Sequence, residues 1–239
     1  MTKPVLILQF MDNDAPAYLG TWLQRQGIAS DVRLASGGGF PERIDGYAAL
    51  VPLGGAMSAN DDLPFIHDAL RLIEQAAQRD IPVLGHCLGG QLIARAFGAR
   101  VGASPGAEVG WHRMDRIDSE SSRAWFGPQA THQVFHWHYE AFDLPAGAQG
   151  LASSPQCPHQ AFAIGPHLAL QFHVEVDAAK VELWLDQLDP QYERAQRDSE
   201  TVHSARRIRA DTARFLATQQ RLADGIYGHW AQVAGLISQ

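Results

Sequence analysis

Short apolar runs alternate with amphipathic stretches through the first hundred residues of the chain. Residues 5–10 read as a buried strand, and 16–26, closed by Gly27, as a helix with Tyr18, Leu19, Trp22 and Leu23 on one face. Residues 31–34 suit a second strand and 47–53 a third. A helix over about 63–79, with Leu70, Ile73 and Ala77 inward, leads to the apolar run 81–84. A further helix follows at 88–97, capped by Gly98. Strands that look buried on both faces, alternating with helices, predict an α/β fold with a mainly parallel central sheet flanked by helices.

Beyond Gly98 the texture shortens. Val101, 108–111, 131–138, 159–164 and 168–172 read as strands joined by Gly/Pro turns, some of them antiparallel. From Ala178 onward the pattern is helical, with a short helix at 178–188 and, after Pro190, apolar positions such as Ile208, Phe215, Leu222, Ile226, Trp230 and Val233 spaced by three, four or seven. This divides the chain into a catalytic unit, 1–177, and a helical extension, 178–239, packed on the core or on a partner; a homodimer is one such arrangement. The cluster at 36–39 (Ser36, Gly37, Gly38, Gly39) lacks the Lys-Ser/Thr ending of a phosphate loop and reads as a plain loop.

Charge narrows the partners. With 19 Lys+Arg against 26 Asp+Glu the chain carries −7, which argues against nucleic acid and anionic membranes. No apolar run approaches the ~20 residues of a membrane span, and the N-terminal run is too short for a secretory core, so a cytoplasmic protein is expected. Cys87 and Cys157 show no Cys-x-x-Cys spacing, so neither a disulfide framework nor a metal is expected.

The chemistry centres on Gly85-His86-Cys87-Leu88-Gly89-Gly90-Gln91, where a strand turns sharply into a helix. Such a turn crowds the backbone around the residue at its apex, so glycines are needed at the flanking positions, here Gly85 and Gly89. Cys87 also meets the positive end of the helix dipole, which favours the thiolate. Cys157 has no such turn and reads as a loop thiol.

A base and an anion pocket are then required. His173 and Glu175, two apart at the end of a predicted strand, share a face, so the histidine can address Cys87 while the carboxylate holds its other nitrogen. The backbone N–H of Leu88 and one from the Gly54-Gly55 turn are the expected oxyanion donors, with Gly55 placed for it.

Gly85 to Gln91, together with Gln171-Phe172-His173-Val174-Glu175, Leu53-Gly54-Gly55, Glu108-Val109-Gly110-Trp111 and residues 137–145, resembles the class I glutamine amidotransferase family, most of all its stand-alone GMP-synthase-like members. The resemblance spans roughly three quarters of the chain, from the first strand to Val176. It implies a flavodoxin-like core and a Cys–His–Glu triad that hydrolyses the glutamine side-chain amide through a Cys87 thioester, without a cofactor. It also implies that Gly54, Gln91 and the His138-Tyr139-Glu140 loop help hold the substrate. Three positions depart from the family: Ala56 where proline is usual, His86 before the nucleophile, and Glu140 in place of aspartate. Nothing after Val176 resembles a synthetase domain, so any ammonia acceptor is expected on another chain.

Two alternatives stay open: the same triad acting on γ-glutamyl peptides or conjugates, and a dormant partner subunit. An α/β-hydrolase is disfavoured, because its acid precedes its histidine in chain order.

Overall fold

The computed structural model describes residues 3–37, 39–187 and 190–237. In chain order the elements are β1 Val5–Gln9, α1 Ala17–Arg25, β2 Ser30–Leu34, β3 Ala49–Pro52, α2 Pro64–Ala77, β4 Leu84–His86 and α3 Leu88–Ala96. There follow β5 Val101–Arg116, α4 Glu120–Phe126, β6 Thr131–Phe142, β7 Gln149–Ser153, β8 Ala161–Ile164, β9 His167–Leu170, α5 Ala178–Leu185, α6 Pro190–Asp198 and α7 Ala205–Val233.

Strands β2-β1-β3 pair in parallel, a parallel bridge from Leu50 to Val83 joins them to the β4 run, and β4 pairs in parallel with β9. From β9 outward, through β8, β7, β5 and β6, every pairing is antiparallel. The α/β expectation therefore holds with a curled, mixed sheet whose parallel half carries the cysteine.

Alternation along the strands divides the core. Val5 and Ile7 of β1 face a cluster with Trp22 of α1 and Ile226, Tyr227 and Trp230 of α7. Leu6 and Leu8 face Ile66 and Ile73 of α2 and Leu92 of α3. A third cluster packs α5, α6 and the start of α7 on β5 and β6 through Trp111, Phe135, Val181 and Tyr192. Among the described residues no helix is long and apolar enough to cross a membrane.

Several expectations shift. β2 is an edge strand with Val32 44% exposed, because only β1 pairs with it. The inner face of α2 is Ile66, Ala69, Leu72, Ile73 and Ala76, which leaves Leu70 and Ala77 at its flanks. Helix α4 and strand β7 were not expected; α4 is short, opens on a Ser119 cap that accepts from Ser122 N–H, and buries Trp125 and Phe126. The helix expected at 178–188 ends at Leu185, and residue 188 lies outside the described residues. On α7, Gln219 is buried while Val233 is 43% exposed. The 36–39 segment continues a turn after β2; its Gly38 lies outside the described residues.

Candidate active site

The elbow is built from close approaches. A Cβ on Gly89 would sit 2.0 Å from the Pro52 carbonyl oxygen, and one on Gly85 would lie 2.5 Å from Gly89 backbone. Real side chains essentially never approach so closely, so these two positions admit glycine alone. Cys87 itself has φ +48°, a conformation that costs a residue with a side chain about 1–3 kcal/mol and persists only when its surroundings over-determine it. Two backbone bonds hold it there, Cys87 N–H to Leu170 C=O at 2.8 Å and Gln91 N–H to Cys87 C=O at 2.9 Å.

The first of these bonds also brings the histidine in. Strand β9, parallel to β4, ends at Leu170, and the chain then leaves the ladder, so that His173 N–H reaches Phe135 C=O of β6 at 2.8 Å. His173 and Glu175 therefore stand in an irregular turn and not on the strand expected for them; their side chains meet through that turn, not through strand alternation.

The His173 Nδ1 to Glu175 Oε1 distance is 2.6 Å, with both groups buried. A carboxylate only accepts, so Nδ1 carries the proton and Nε2 is the nitrogen left for chemistry. Nε2 completes no hydrogen bond, while the Cys87 sulfur is near enough to favour the charged ring. Hydrogen bonds of this kind are often loose before substrate binds. Burial works against the His173 charge, but Glu175 and the Cys87 sulfur outweigh it and push the ring up to about 10. Burial likewise opposes ionisation of Glu175, yet His173, His86 and Lys180 hold its carboxyl far below the usual range.

Sequence reasoning missed much of the support. Lys180 Nζ, buried in the first turn of α5, lies 2.6 Å from Asp14, donates to Ala15 C=O at 3.0 Å, and stands 3.7 Å from Glu175 Oε1. Gln219, midway along α7, accepts from Phe135 N–H at 2.6 Å and donates to His173 C=O at 3.1 Å. One buried amide thus clamps both partners of the His173–Phe135 bond. A polar residue on the apolar face of α7 was the available signal. Trp184 packs edge-on to the His173 ring at 4.9 Å.

His86 points away from the thiol, toward Glu175 Oε2 at 3.9 Å and the Tyr227 hydroxyl at 3.4 Å. Burial pushes it down to about 4, so it stands neutral behind the Glu175 carboxylate.

A pocket of about 360 Å³, within the roughly 300–1,000 Å³ of small-molecule sites, opens over Cys87 and His173 and is lined by Gly55, Gln91, Tyr139 and Glu140 among others. Leu88 N–H, at the first position of α3, has no acceptor within its own helix. Gly54 stands against Cys87 and His173: a Cβ there would lie 2.9 Å from His173 Cε1 and 3.8 Å from Cys87 Cβ. The Gln91 amide donates to Glu140 C=O at 3.1 Å and to Gln171 Oε1 at 3.4 Å, and Gln171 donates to Cys87 Sγ at 3.7 Å. The Glu140 carboxylate accepts from Ser58 Oγ at 2.8 and 3.1 Å, and Ala56, on the facing loop, directs its N–H to Met11 Sδ at 3.3 Å. His138, on the same strand as Tyr139 and Glu140, is 2% exposed, with Nδ1 3.2 Å from Glu140 C=O, and forms part of the pocket floor. The far wall of the pocket comes from the helical segment, through Trp184, Gln187 and Gln191, with Asn13 hydrogen-bonded to Gln187.

Residues 40–182 match the family model "Glutamine amidotransferase class-I". The glutamine amidotransferase-like protein YfeJ of Salmonella typhimurium is 33% identical over 70% of this chain and 73% of its own. One of the subunits of the glutamine-hydrolyzing GMP synthase of Thermococcus kodakarensis is 32% identical over 56% and 71%, and gamma-glutamyl peptidase 3 of Arabidopsis thaliana is 32% identical over 58% and 59%. A crystal structure of a glutamine amido transferase from Methylobacillus flagellatus superimposes with a TM-score of 0.92 at 34% identity, covering 98% of this chain and 96% of that one.

Proposed function

The chain belongs to the class I glutamine amidotransferase family, and from that premise we propose that it hydrolyses the side-chain amide of glutamine through a γ-glutamyl thioester on Cys87. The observation that carries this reading is the buried 2.6 Å contact between His173 and Glu175, facing a cysteine held at a strained elbow.

In the proposed sequence the Cys87 thiolate attacks the amide carbonyl carbon, and the negative charge moves to its oxygen, which accepts from the Gly55 and Leu88 N–H groups. The C–N bond then breaks as His173 Nε2 gives its proton to the departing nitrogen, releasing ammonia and leaving the thioester. His173, now neutral, takes a proton from water, whose oxygen attacks the thioester; the C–S bond breaks and glutamate leaves. Glu175 holds the ring oriented and stabilises its charge throughout. The Glu140 carboxylate, with Tyr139 beside it, suits the α-ammonium of the substrate, and Gln91 and His138 hold the strand that presents them. Gly54 leaves room for the His173 ring to approach the sulfur. Residues 1–177 form the catalytic unit in this reading, with 178–239 as an extension that completes the pocket; any acceptor of the ammonia sits on another chain, as the relative from a multi-chain GMP synthase suggests.

A second reading, release of an amine from γ-glutamyl peptides or conjugates, is favoured by the wall of Asn13, Trp184, Gln187 and Gln191 beyond the triad and by the relative named gamma-glutamyl peptidase. Assaying ammonia from glutamine beside amine from γ-glutamyl dipeptides separates the two. Faster turnover of glutamine supports the first; turnover confined to the dipeptides transfers the same chemistry to the second.

A further inference from the structure

Beneath the pocket, on the antiparallel half of the sheet, Glu108, His136 and His138 each turn one ligand atom inward, all within 4.8 Å of one another. The register makes this cluster. Glu108 stands opposite His138 across β5 and β6, Gly110 opposite His136, and the two-residue period of a strand puts both histidines on one face. All three side chains are buried, at 1%, 0% and 2% exposure.

His136 is the anomaly. Neither of its ring nitrogens has a hydrogen-bond partner, although each unpartnered polar group in the interior costs about 1–3 kcal/mol. In His138, Nδ1 faces the Glu140 carbonyl, which can only accept, so Nδ1 carries a proton. Nε2 then points at Glu108 Oε2 from 3.2 Å without completing a hydrogen bond. A lone pair on that nitrogen and a carboxylate repel each other unless a proton or a metal cation stands between them.

Two of the three residues, His138 and Glu108, have the surroundings that metal ligands need. A ligating imidazole donates its other N–H to a carbonyl or carboxylate, and a ligating carboxylate is itself held by hydrogen bonds. His138 meets the first condition through Glu140. Glu108 meets the second, accepting from Gln160 Nε2 at 2.6 Å and Ser154 Oγ at 3.0 Å.

We propose that Glu108, His136 and His138 bind one divalent transition-metal ion, zinc fitting best, as a brace behind the pocket wall. Two imidazoles and one carboxylate with a fourth position for water suit zinc, whereas calcium and magnesium call for oxygen-rich sites. Bonds of about 2.0–2.1 Å put tetrahedral ligand atoms roughly 3.3 Å apart, so the cluster closes on the ion by small ring rotations. His138 lines the pocket, which supplies an entry path. The absence of Cys-x-x-Cys spacing pointed to no metal, but these ligands are brought together by strand register and leave no such spacing.

The test is to strip the full-length protein with a chelator, titrate it with Zn²⁺, and then use Co²⁺ as a spectroscopic probe. One equivalent is expected per chain, in the wild type and in Cys87→Ser alike, with visible cobalt bands and no sulfur-to-cobalt charge transfer. Affinity should fall by at least roughly tenfold in His136→Ala and in Glu108→Gln. Should either variant fail to fold, His136→Phe fills the same space without a ligand atom, and X-ray absorption on the wild type reads the ligands directly as nitrogen and oxygen only. Failure to bind zinc, binding that disappears in Cys87→Ser, undiminished affinity in the His136 variants, or a zinc–sulfur shell would each overturn the proposal.

Discussion

Two buried histidine–carboxylate pairs stand within one pocket's walls, His173–Glu175 and His138–Glu108. In the first, Nδ1 and Oε1 are 2.6 Å apart, Lys180 and His86 stand behind the carboxylate, and the free ring nitrogen faces a thiol. In the second the separation is 3.2 Å, Ser154 and Gln160 stand behind the carboxylate, and the neighbour is another imidazole. The same two residue types are directed by what lies on the far side of the ring. In the proposed reading a sulfur on a strained turn makes one a base, and a cluster of unpartnered nitrogen makes the other a ligand set.

The sharpest way to break that contrast is through turnover. Cys87→Ser should lower kcat by about 10⁴-fold or more, since removing a nucleophile forfeits the whole covalent route. Glu175→Gln should follow with a loss approaching roughly 10⁴-fold, the size seen when an orienting carboxylate becomes an amide. Glu108→Gln should leave most of the turnover but lower stability by about 1–3 kcal/mol, the cost of disturbing the buried bonds that Ser154 and Gln160 donate to the carboxylate, read from denaturant midpoints. Equal losses of kcat in the two glutamine variants would dissolve the distinction between the pairs.

Gln219→Ala sharpens it by removing a clamp from the first pair alone. A loss of about 1–3 kcal/mol is expected from the unpaired Phe135 N–H and His173 C=O groups, with kcat lowered about tenfold while KM changes little.

The smallest effect concerns pH. His86 and His167 are both pushed down to about 4 by burial. Their unfolded forms take up protons at about 6.5, so the unfolded state binds more protons between those values and stability falls as pH drops from about 6.5 to 4. His173, held up at about 10, acts in the opposite sense: its contribution is complete below about 6.5 and is lost as pH rises through about 10. Thermal unfolding across pH should therefore show an acid limb that His167→Phe flattens without affecting turnover.

What could be read in advance follows the same division. Cys87, its flanking glycines and the His173-x-Glu175 step are local patterns, and the parallel half of the sheet is built largely of short apolar runs that read as strands on their own. The strand expected at 168–172, with His173 and Glu175 at its end, stops at Leu170, because His173 N–H donates to Phe135 C=O of β6, and no local pattern announces that switch. Gln219 lies 46 residues from His173, and Glu108 lies 30 from His138. Both contacts come from helix packing or strand register, which hydrophobic periodicity does not encode. His86 is legible in the sequence only as an unusual residue before the nucleophile; its contact with Tyr227 of α7 is not.

The central claim is that Cys87 carries the acyl group. Rapid acid quenching after mixing with glutamine and a panel of γ-glutamyl compounds, followed by mass spectrometry of the digested protein, tests it most directly. A γ-glutamyl adduct on the peptide containing Cys87, longer lived in His173→Ala once formed from an activated ester, is the predicted result. An adduct on Cys157, whose buried thiol is pushed up to about 11, or ammonia release with Cys87 never modified, would contradict the account.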